Sequence, residues 1–212
     1  MLDIGIISPA MLKLFSECSG KFYYRYIEQI PSPHLDKSFA AGKNIHALAS
    51  YYLKGSDISK LEKVLTSKEA GCWEYLKCSK YFNYETVGVE NNISFKLGDF
   101  WFGGRLDAVV KNNNSFYILD YKTGGTDDDM TYDYQTMVYL LACEGYYKEY
   151  DSLSFVYLDL KRYKEVKIDF STSLKSQYIS KLNDCAAKMI NFDINKFSPD
   201  KKCMCEYSKI CK

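Results

Sequence analysis

The sequence predicts an α/β fold in which helices flank a mixed central β-sheet. Apolar and polar residues alternate over residues 84–97, as they do in half-buried strands, and residues 152–160 and 163–170 are predicted to form a hairpin about residues 161–162. Between these segments, residues 104–122 form two β-rich runs joined by an Asn-rich tip, which predicts a hairpin. Apolar residues at helical spacing precede, separate and follow the strands. We therefore expect a mixed sheet from residues 84–122 and 152–170.

Composition limits the classes of protein to which the chain can belong. Its 212 residues suffice for one well-buried core, so a single domain, residues 1–212, is expected. With 28 Lys and Arg against 27 Asp and Glu, the net charge of +1 argues against a generally basic nucleic-acid coat but allows a local basic groove. The sequence shows neither a signal peptide nor an apolar run of membrane-spanning length, which favours a cytoplasmic location without a membrane partner.

The predicted elements follow one another along the chain. Ser8-Pro9 is typical of a helix start, and Pro31 and Pro33 end the helix at 8–30. The other elements are a helix at 40–48, helical residues 57–82, a strand at 84–97, the central hairpin, a helix at 133–149, a hairpin of 152–160 and 163–170, and a helix at 173–192.

The central hairpin carries two carboxylates. Asp107 ends the motif Gly-Arg-Leu-Asp, and Asp120 begins Asp-Tyr-Lys-Thr-Gly thirteen residues later. A period of two places Asp120 and Lys122 on one face of the strand and Tyr121 on the other. A four-residue loop, 112–115, would set Asp107 opposite Asp120, whereas a five-residue loop would put the carboxylates on opposite faces unless a bulge intervened.

A metal-binding role explains this pair of carboxylates better than a contribution to the stability of the fold does. Like charges that face each other on a sheet repel, and buried charge is costly unless it is paired or bound to metal. Two carboxylates with open positions suit Mg²⁺ or Mn²⁺, and Lys122 could orient or deprotonate a water and offset phosphate charge. Without Asp107, the Asp-x-Lys pattern of Asp120 and Lys122 would indicate a surface ion pair on an edge strand. The presence of Asp107 favours the metal site.

Other polar residues near the hairpin allow simpler interpretations. A lone helical histidine such as His46 is more often structural than a ligand. Glu90 is interpreted as a solvated strand residue, with an outer-shell carboxylate as the alternative, and the acidic run 127–129 as a solvated loop. Gln135 and Tyr139 are four residues apart on the helix at 133–149 and therefore share a face.

The chain contains eight cysteines, and three of them lie within nine residues of its polar end. In a chain expected in the cytoplasm, cysteines indicate metal or cluster ligands, or buried thiols, before disulfides. Cys203, Cys205 and Cys211 do not lie in an apolar pattern and are not expected to serve a core.

These motifs together resemble the PD-(D/E)XK nuclease superfamily, in its RecB/Cas4-like branch. The resemblance implies a restriction-endonuclease-like core, with a divalent metal bound by His46, Asp107, Asp120 and the carbonyl of Tyr121. It implies that Lys122 orients the attacking water. Gln135 and Tyr139, which match the Gln-x-x-x-Tyr motif of the RecB branch, would be supporting catalytic residues.

The resemblance also extends to the cysteines. Iron–sulfur members of the family carry one cysteine in the first helix and three at the C-terminus, which implies a [4Fe–4S] cluster bound by Cys18, Cys203, Cys205 and Cys211, with structural Zn²⁺ as the alternative. That cluster would join the N-terminal helix, 8–30, to the Cys-rich tail, 197–212. Two departures are Ser19 in place of the usual proline and Cys-x-Cys in place of Cys-x-x-Cys.

The function implied is metal-dependent hydrolysis of DNA phosphodiesters by a Cas4-like exonuclease, with Mg²⁺ or Mn²⁺, on single-stranded DNA or DNA ends. Protein partners would be of the helicase, recombinase or integrase type. One alternative is a non-catalytic DNA-end-binding subunit of a recombination, repair or adaptation complex. The other is an endonuclease acting on a different nucleic acid, such as RNA.

Overall fold

A five-stranded mixed sheet forms the centre of the molecule. The computed structural model describes residues 2, 4–31, 40–198 and 205–211. The strands lie in the order β2-β5-β6-β7-β8, and only the central pair, β6 and β7, is parallel. A parallel pair needs a crossover, which is supplied here by a helix between the two strands. The strands are β2 (Glu85–Val89), β5 (Ala108–Asn112), β6 (Ser115–Lys122), β7 (Ser152–Asp159) and β8 (Lys164–Asp169).

A second sheet of three strands contains β1 (Ile6–Ile7), β4 (Phe100–Arg105) and β3 (Asn92–Leu97), in that order. The prediction of one strand over 84–97 was therefore wrong. The run breaks at Glu90, whose φ of +55° is in the left-handed region, and its two halves join different sheets. Alternation of apolar residues could not show this break because it continues through both halves.

Seven α-helices are described. The last of them, α7, begins and ends within two residues of its predicted bounds, whereas α6 ends three residues early. None of the helices in the described part of the chain is both long and apolar enough to cross a membrane. The helices are α1 (Pro9–Glu17), α2 (Ser19–Phe22), α3 (Ala40–Leu53), α4 (Ser59–Glu62), α5 (Ser67–Cys78), α6 (Tyr134–Tyr146) and α7 (Thr172–Ile190).

Two predicted helices are discontinuous. The segment 8–30 breaks at Cys18, whose backbone is extended with φ −162° and ψ 106°. The sulfur of Cys18 accepts a hydrogen bond from the backbone N–H of Lys21 at 3.4 Å and so caps α2, after which the chain forms a π-helix at Tyr23–Ile27. Residues 57–82 are likewise divided into α4, α5 and a 3₁₀ turn at Lys80–Asn83.

The central hairpin has the register expected for the four-residue loop, the first of the two alternatives. Asn112 pairs with Ser115 and Ala108 with Leu119, so the turn itself contains only two residues, 113 and 114. Asn113 has a φ of +53°, as a tight hairpin turn requires. The same register carried one residue beyond Ala108 places Asp107 opposite Asp120.

Two hydrophobic cores lie on opposite faces of the central sheet. Ile118 packs in one core with residues of α1, α6 and α7, and its neighbours Leu119 and Tyr121 pack in the other with residues of α3 and α5. Alternation along β6 thus puts Asp120 on the side of α6 and Tyr121 on the side of α3. The predicted fold class, a mixed central sheet flanked by helices, is confirmed.

Candidate active site

Asp107 and Asp120 meet at the end of the central hairpin. Asp120 is in β6, with 7% of its surface exposed, and Asp107 immediately precedes β5. Oδ2 of Asp107 accepts a hydrogen bond from the backbone N–H of Tyr121 at 3.0 Å, which fixes its carboxylate against the neighbouring strand. The hairpin itself therefore holds the two carboxylates at facing positions on neighbouring strands.

His46, on α3, contacts Asp107 and the backbone of Tyr121. Its Nδ1 is 3.2 Å from Oδ1 of Asp107, and its Nε2 is 2.8 Å from the carbonyl oxygen of Tyr121. Burial lowers the pKa of His46, but the hydrogen bond to Asp107 and the charges of Asp107 and Asp120 outweigh burial, so its pKa lies above the ordinary value. Both ring nitrogens face oxygen acceptors, so this position favours a positive charge.

Lys122 and Gln135 hold Asp120 from the other side. Nε2 of Gln135 donates to Oδ1 of Asp120 at 3.0 Å, and the ammonium of Lys122 donates to Oε1 of Gln135. The ammonium is also 2.9 Å from Oδ2 of Asp120. The contacts confirm that Asp120 and Lys122 share a face of β6 and that Gln135 lies at the Lys122 end.

Asp120 carries an oxygen without a hydrogen bond. Although Lys122 is at ion-pair distance, the buried Oδ2 of Asp120 accepts no hydrogen bond within the described structure. Burial raises the pKa of Asp120, and the charge of Asp107 raises it further, against the lowering effect of Lys122. Lys122 supplies one positive charge to the two neighbouring carboxylates, and their oxygens are donors of the kind that a hard divalent metal ion prefers.

Tyr139 lies behind the site. Only 5% of its surface is exposed, and its hydroxyl donates to the carbonyl oxygen of Arg105 at 3.1 Å. The ring packs over Gly104, where an added Cβ would lie 2.5 Å from the Tyr139 hydroxyl oxygen. Tyr139 thus positions the end of β4, which leads into Asp107. Glycine is needed at position 104 because a side chain there would collide with the Tyr139 ring.

Glu90 is the residue whose position sequence reasoning missed. Its side chain is 25% exposed, and its backbone N–H donates to the carbonyl oxygen of Asp107 at 2.9 Å. Among the described residues, a group of three potential ligands, His46, Glu90 and Asp107, has donor atoms within 4.8 Å of one another. Asp120 is not part of that group and pairs with Lys122 and Gln135 instead. A polar Glu-Asn pair inside the strand-like run was the available sequence signal.

Basic clefts converge on this site from two directions. One cleft of about 750 Å³ lies beside His46, and another of about 550 Å³ lies beside Gln135; Lys122 and Gly124 line both. Although the net charge of the chain is only +1, basic side chains are concentrated around these two clefts. The basic residues that line the two clefts are Lys43, Lys54, Arg105, Lys122, Lys13, Lys161 and Arg162.

Comparison with known proteins assigns the chain to a family. A family model described as the PD-(D/E)XK nuclease superfamily matches residues 6–212. The chain belongs to this superfamily. The CRISPR-associated exonuclease Cas4 of Francisella tularensis subsp. novicida (strain U112) is 24% identical over 136 residues, which cover 61% of this chain and 68% of the relative.

The structural comparison agrees with the PD-(D/E)XK assignment. A solved structure from Eubacterium rectale, described as a candidate exonuclease, superposes with a TM-score of 0.63 at 11% identity, and the match covers 97% of this chain and 86% of the other. At that identity the likeness shows the fold alone. The predicted membership of the superfamily, with its likeness to Cas4, is confirmed, and the protein is a nuclease of the PD-(D/E)XK type. The roles predicted for individual residues remain predictions.

The C-terminal tail of this PD-(D/E)XK protein packs against the segment that follows Cys18. Tyr207, which is 2% exposed, donates to the carbonyl oxygen of Ile30 at 2.8 Å, and Tyr24 donates to the carbonyl oxygen of Ile210 at 3.2 Å. Lys21 and Glu206 form an ion pair at 3.1 Å. Cys18, Cys205 and Cys211 are each partly buried, and the predicted ligand Cys203 lies outside the described residues.

Proposed function

We propose that the protein is a Mg²⁺- or Mn²⁺-dependent deoxyribonuclease, acting as an exonuclease on single-stranded DNA or DNA ends. The observation that carries the proposal is the hairpin that places Asp107, in contact with His46, next to the buried Asp120, whose Oδ2 has an ion pair with Lys122 but accepts no hydrogen bond. Two adjacent carboxylates repel each other, and one ammonium does not balance both, so their presence here favours a metal-binding and catalytic role.

The residues proposed to hold the metal are His46, Asp107, Asp120 and the backbone carbonyl of Tyr121. Carboxylate and carbonyl oxygens suit Mg²⁺, and a neutral imidazole is also a ligand for Mn²⁺. When bound, such an ion would polarise a phosphate oxygen and lower the pKa of a bound water.

Lys122 and Gln135 would position the attacking water. Lys122 is 27% exposed on its side chain and faces the clefts, so its ammonium can contact both a water and a phosphate oxygen. The water oxygen bonds to phosphorus as the bond from phosphorus to the leaving sugar oxygen breaks. The attacking water loses a proton and the leaving oxygen gains one. Gln135 keeps the Lys122 ammonium and the Asp120 carboxylate in fixed positions.

The clefts support a nucleic-acid substrate. Cations line both sides of Lys122, and a polyanionic strand that passes the site would contact them on either side of the scissile phosphate. The relative named as an exonuclease in Francisella supports exonuclease activity.

A cleavage assay tests the proposal. Purified protein is incubated with end-labelled single-stranded DNA, blunt duplex DNA and RNA, with EDTA or with added Mn²⁺ or Mg²⁺. We expect DNA to be shortened progressively from an end only when metal is present. Binding without cleavage would support a non-catalytic DNA-end-binding subunit. Internal cuts, or preference for RNA, would support an endonuclease on another nucleic acid.

We also propose that Cys18, Cys203, Cys205 and Cys211 bind a structural [4Fe–4S] cluster, with Zn²⁺ as the alternative. Packing of the tail next to the Cys18 segment supports a shared site, since Tyr207 and Tyr24 already join the two segments. Hydrolysis of a phosphodiester transfers no electrons, so the cluster would stabilise the fold.

A further inference from the structure

Glu90 lies at the edge of the site, beside His46 and Asp107. We infer that Glu90 is a ligand of the divalent cation held by His46 and Asp107; this inference rests on the proposed function. The donor atoms of these three side chains lie within 4.8 Å of one another. In octahedral coordination at ~2.1 Å, neighbouring ligands are about 3 Å apart and opposite ligands about 4.2 Å apart. The observed spacing therefore needs only a small contraction to enclose one ion.

The backbone places Glu90 at this position. Its N–H donates to the carbonyl oxygen of Asp107 at 2.9 Å, and the N–H of Leu106 donates to the carbonyl oxygen of Asn91 at 3.0 Å. These two hydrogen bonds join the segment around Glu90 to the segment around Asp107. The φ of +55° at Glu90 is unfavourable for a residue with a Cβ, and it turns the chain from one sheet to the other at this point. The backbone on either side of Glu90 therefore holds this residue next to Asp107.

The surroundings of Glu90 contain more acceptors than donors. Both ring nitrogens of His46 already face oxygen atoms, one from Asp107 and one from the carbonyl of Tyr121. On the strand that faces Asp107, Oδ2 of Asp120 is buried and accepts no hydrogen bond, and Lys122 at 2.9 Å is the cation paired with it. A third carboxylate at such a place increases the negative charge further, which a divalent cation would neutralise.

Arg105 provides the competing explanation for Glu90. Its Nε is 2.9 Å from Oε2 of Glu90, and 67% of the Arg105 side chain is exposed. Exposed ion pairs of this kind contribute little, so a divalent ion can displace the guanidinium. If Glu90 serves only to hold Arg105, removing either partner should have the same effect on metal binding. If Glu90 is a ligand, Arg105 competes with the metal for the same carboxylate.

The two explanations are distinguished by Mn²⁺ binding to the full chain, measured by the loss of the free Mn²⁺ signal in electron paramagnetic resonance. Protein is stripped with EDTA, dialysed and titrated with Mn²⁺ alone. Glu90→Gln should weaken Mn²⁺ binding at least about tenfold. Arg105→Gln should leave binding unchanged or tighten it. Glu85→Gln is the matched control because Glu85 begins β2, at the end away from Glu90, and pairs with Lys111 of β5 at 3.1 Å; this variant should bind Mn²⁺ as the wild type does.

Each outcome decides the inference. Wild-type affinity in folded Glu90→Gln protein, with binding lost in Asp107→Asn, would show that Glu90 is not a ligand and would leave the proposed function intact. Equal weakening by Glu90→Gln and Arg105→Gln would reduce Glu90 to a partner of Arg105. Failure of the wild type to bind Mn²⁺ would contradict the proposed function itself. Circular dichroism of each variant excludes unfolding as the cause.

Discussion

Nε2 of Gln135 lies 3.0 Å from Oδ1 of Asp120, and this contact joins α6 to a central strand of the sheet. The same Gln135 side chain accepts a hydrogen bond from Lys122 through its oxygen. One amide therefore sets the distance between the carboxylate and the ammonium of the site. Helix α6, which follows the hairpin in sequence, thus holds the side chains of Asp120 and Lys122 in position.

Gln135→Ala should reduce cleavage while leaving metal binding nearly intact. Without the amide, Lys122 and Asp120 keep their charges but lose their fixed positions, and misplacement of about 1 Å can cost on the order of 100-fold in rate. We expect kcat to fall 10- to 100-fold, on the order of the effect of removing a supporting residue, with a smaller change in KM. Steady-state kinetics on end-labelled DNA measures both.

Gln177→Ala is the control for this variant, since Gln177 is on α7, outside the central hairpin, and its side chain accepts a hydrogen bond from the exposed Tyr132. It should keep wild-type kinetics. A Gln135→Ala protein with unchanged kcat would show that the amide contacts have no part in the reaction.

Asp120→Asn should abolish cleavage and leave the fold intact. The substitution keeps an oxygen that can accept from Gln135 but removes the charge that the proposed metal needs. Loss of repulsion between Asp107 and Asp120 offsets part of the lost ion pair with Lys122, so Tm should change by only a few degrees, in line with about 1 kcal/mol.

Activity and thermal unfolding are measured on the same Asp120→Asn preparation, with and without Mn²⁺. Wild-type Tm should rise with added Mn²⁺, because a ligand that binds the native state stabilises it, and the variant should lose most of that rise. The exposed turn residue Asp99, changed to Asn, is the control. Full activity of pure Asp120→Asn would end its assignment as a catalytic residue.

Asp159 should make stability depend on pH in the acid range. The side chain has no exposed surface; burial raises its pKa, but hydrogen bonds from Arg162, Thr126 and Lys161 outweigh burial and lower the pKa from 3.8 to about 2. The stabilisation is therefore fully present above pH 3.8 and is lost as the pH falls toward 2. Asp159→Asn should lower the free energy of unfolding by about 1–2 kcal/mol at neutral pH.

Urea unfolding between pH 2 and pH 7 tests the Asp159 prediction. The difference between wild type and Asp159→Asn should be constant above about pH 4 and should shrink below it. Asp151→Asn, at an exposed position, controls for the general effect of removing a carboxylate. A difference that stayed constant down to pH 2 would contradict the lowered pKa of Asp159.

Cys205→Ala should remove the proposed cluster and loosen the C-terminal tail. Anaerobically purified wild-type protein should be brown, with about four iron and four sulfide per chain. A link between Cys18 and the tail closes a loop of nearly the whole chain, so its loss should cost several kcal/mol. Iron and sulfide analysis, visible absorption and limited proteolysis measure these effects.

Cys78→Ala is the matched control, because Cys78 is exposed at the end of α5. It should keep the colour and the protease resistance of the wild type. Colourless protein with one zinc per chain would replace the cluster by Zn²⁺. Metal-free protein with four reactive thiols would exclude both.

The sequence by itself determined the hairpin and what it carries. Alternation with a period of two put Lys122 on the face of Asp120, and the Asn-rich tip predicted the hairpin but left two loop lengths open; the structure has the register that brings Asp107 opposite Asp120. These are local properties, fixed by the geometry of the β-strand over a few residues. The superfamily and the mixed sheet flanked by helices followed from the same local motifs.

Tertiary structure decided which distant side chains reach the hairpin. His46 comes from α3 and Gln135 from α6, on opposite sides of the sheet, and their contacts depend on how helices pack on its two faces. Glu90 reaches Asp107 because one strand-like run divides between two sheets at a residue with positive φ. Periodicity within a segment carries no information about which segments become neighbours, since that depends on the burial of apolar surface over the whole chain.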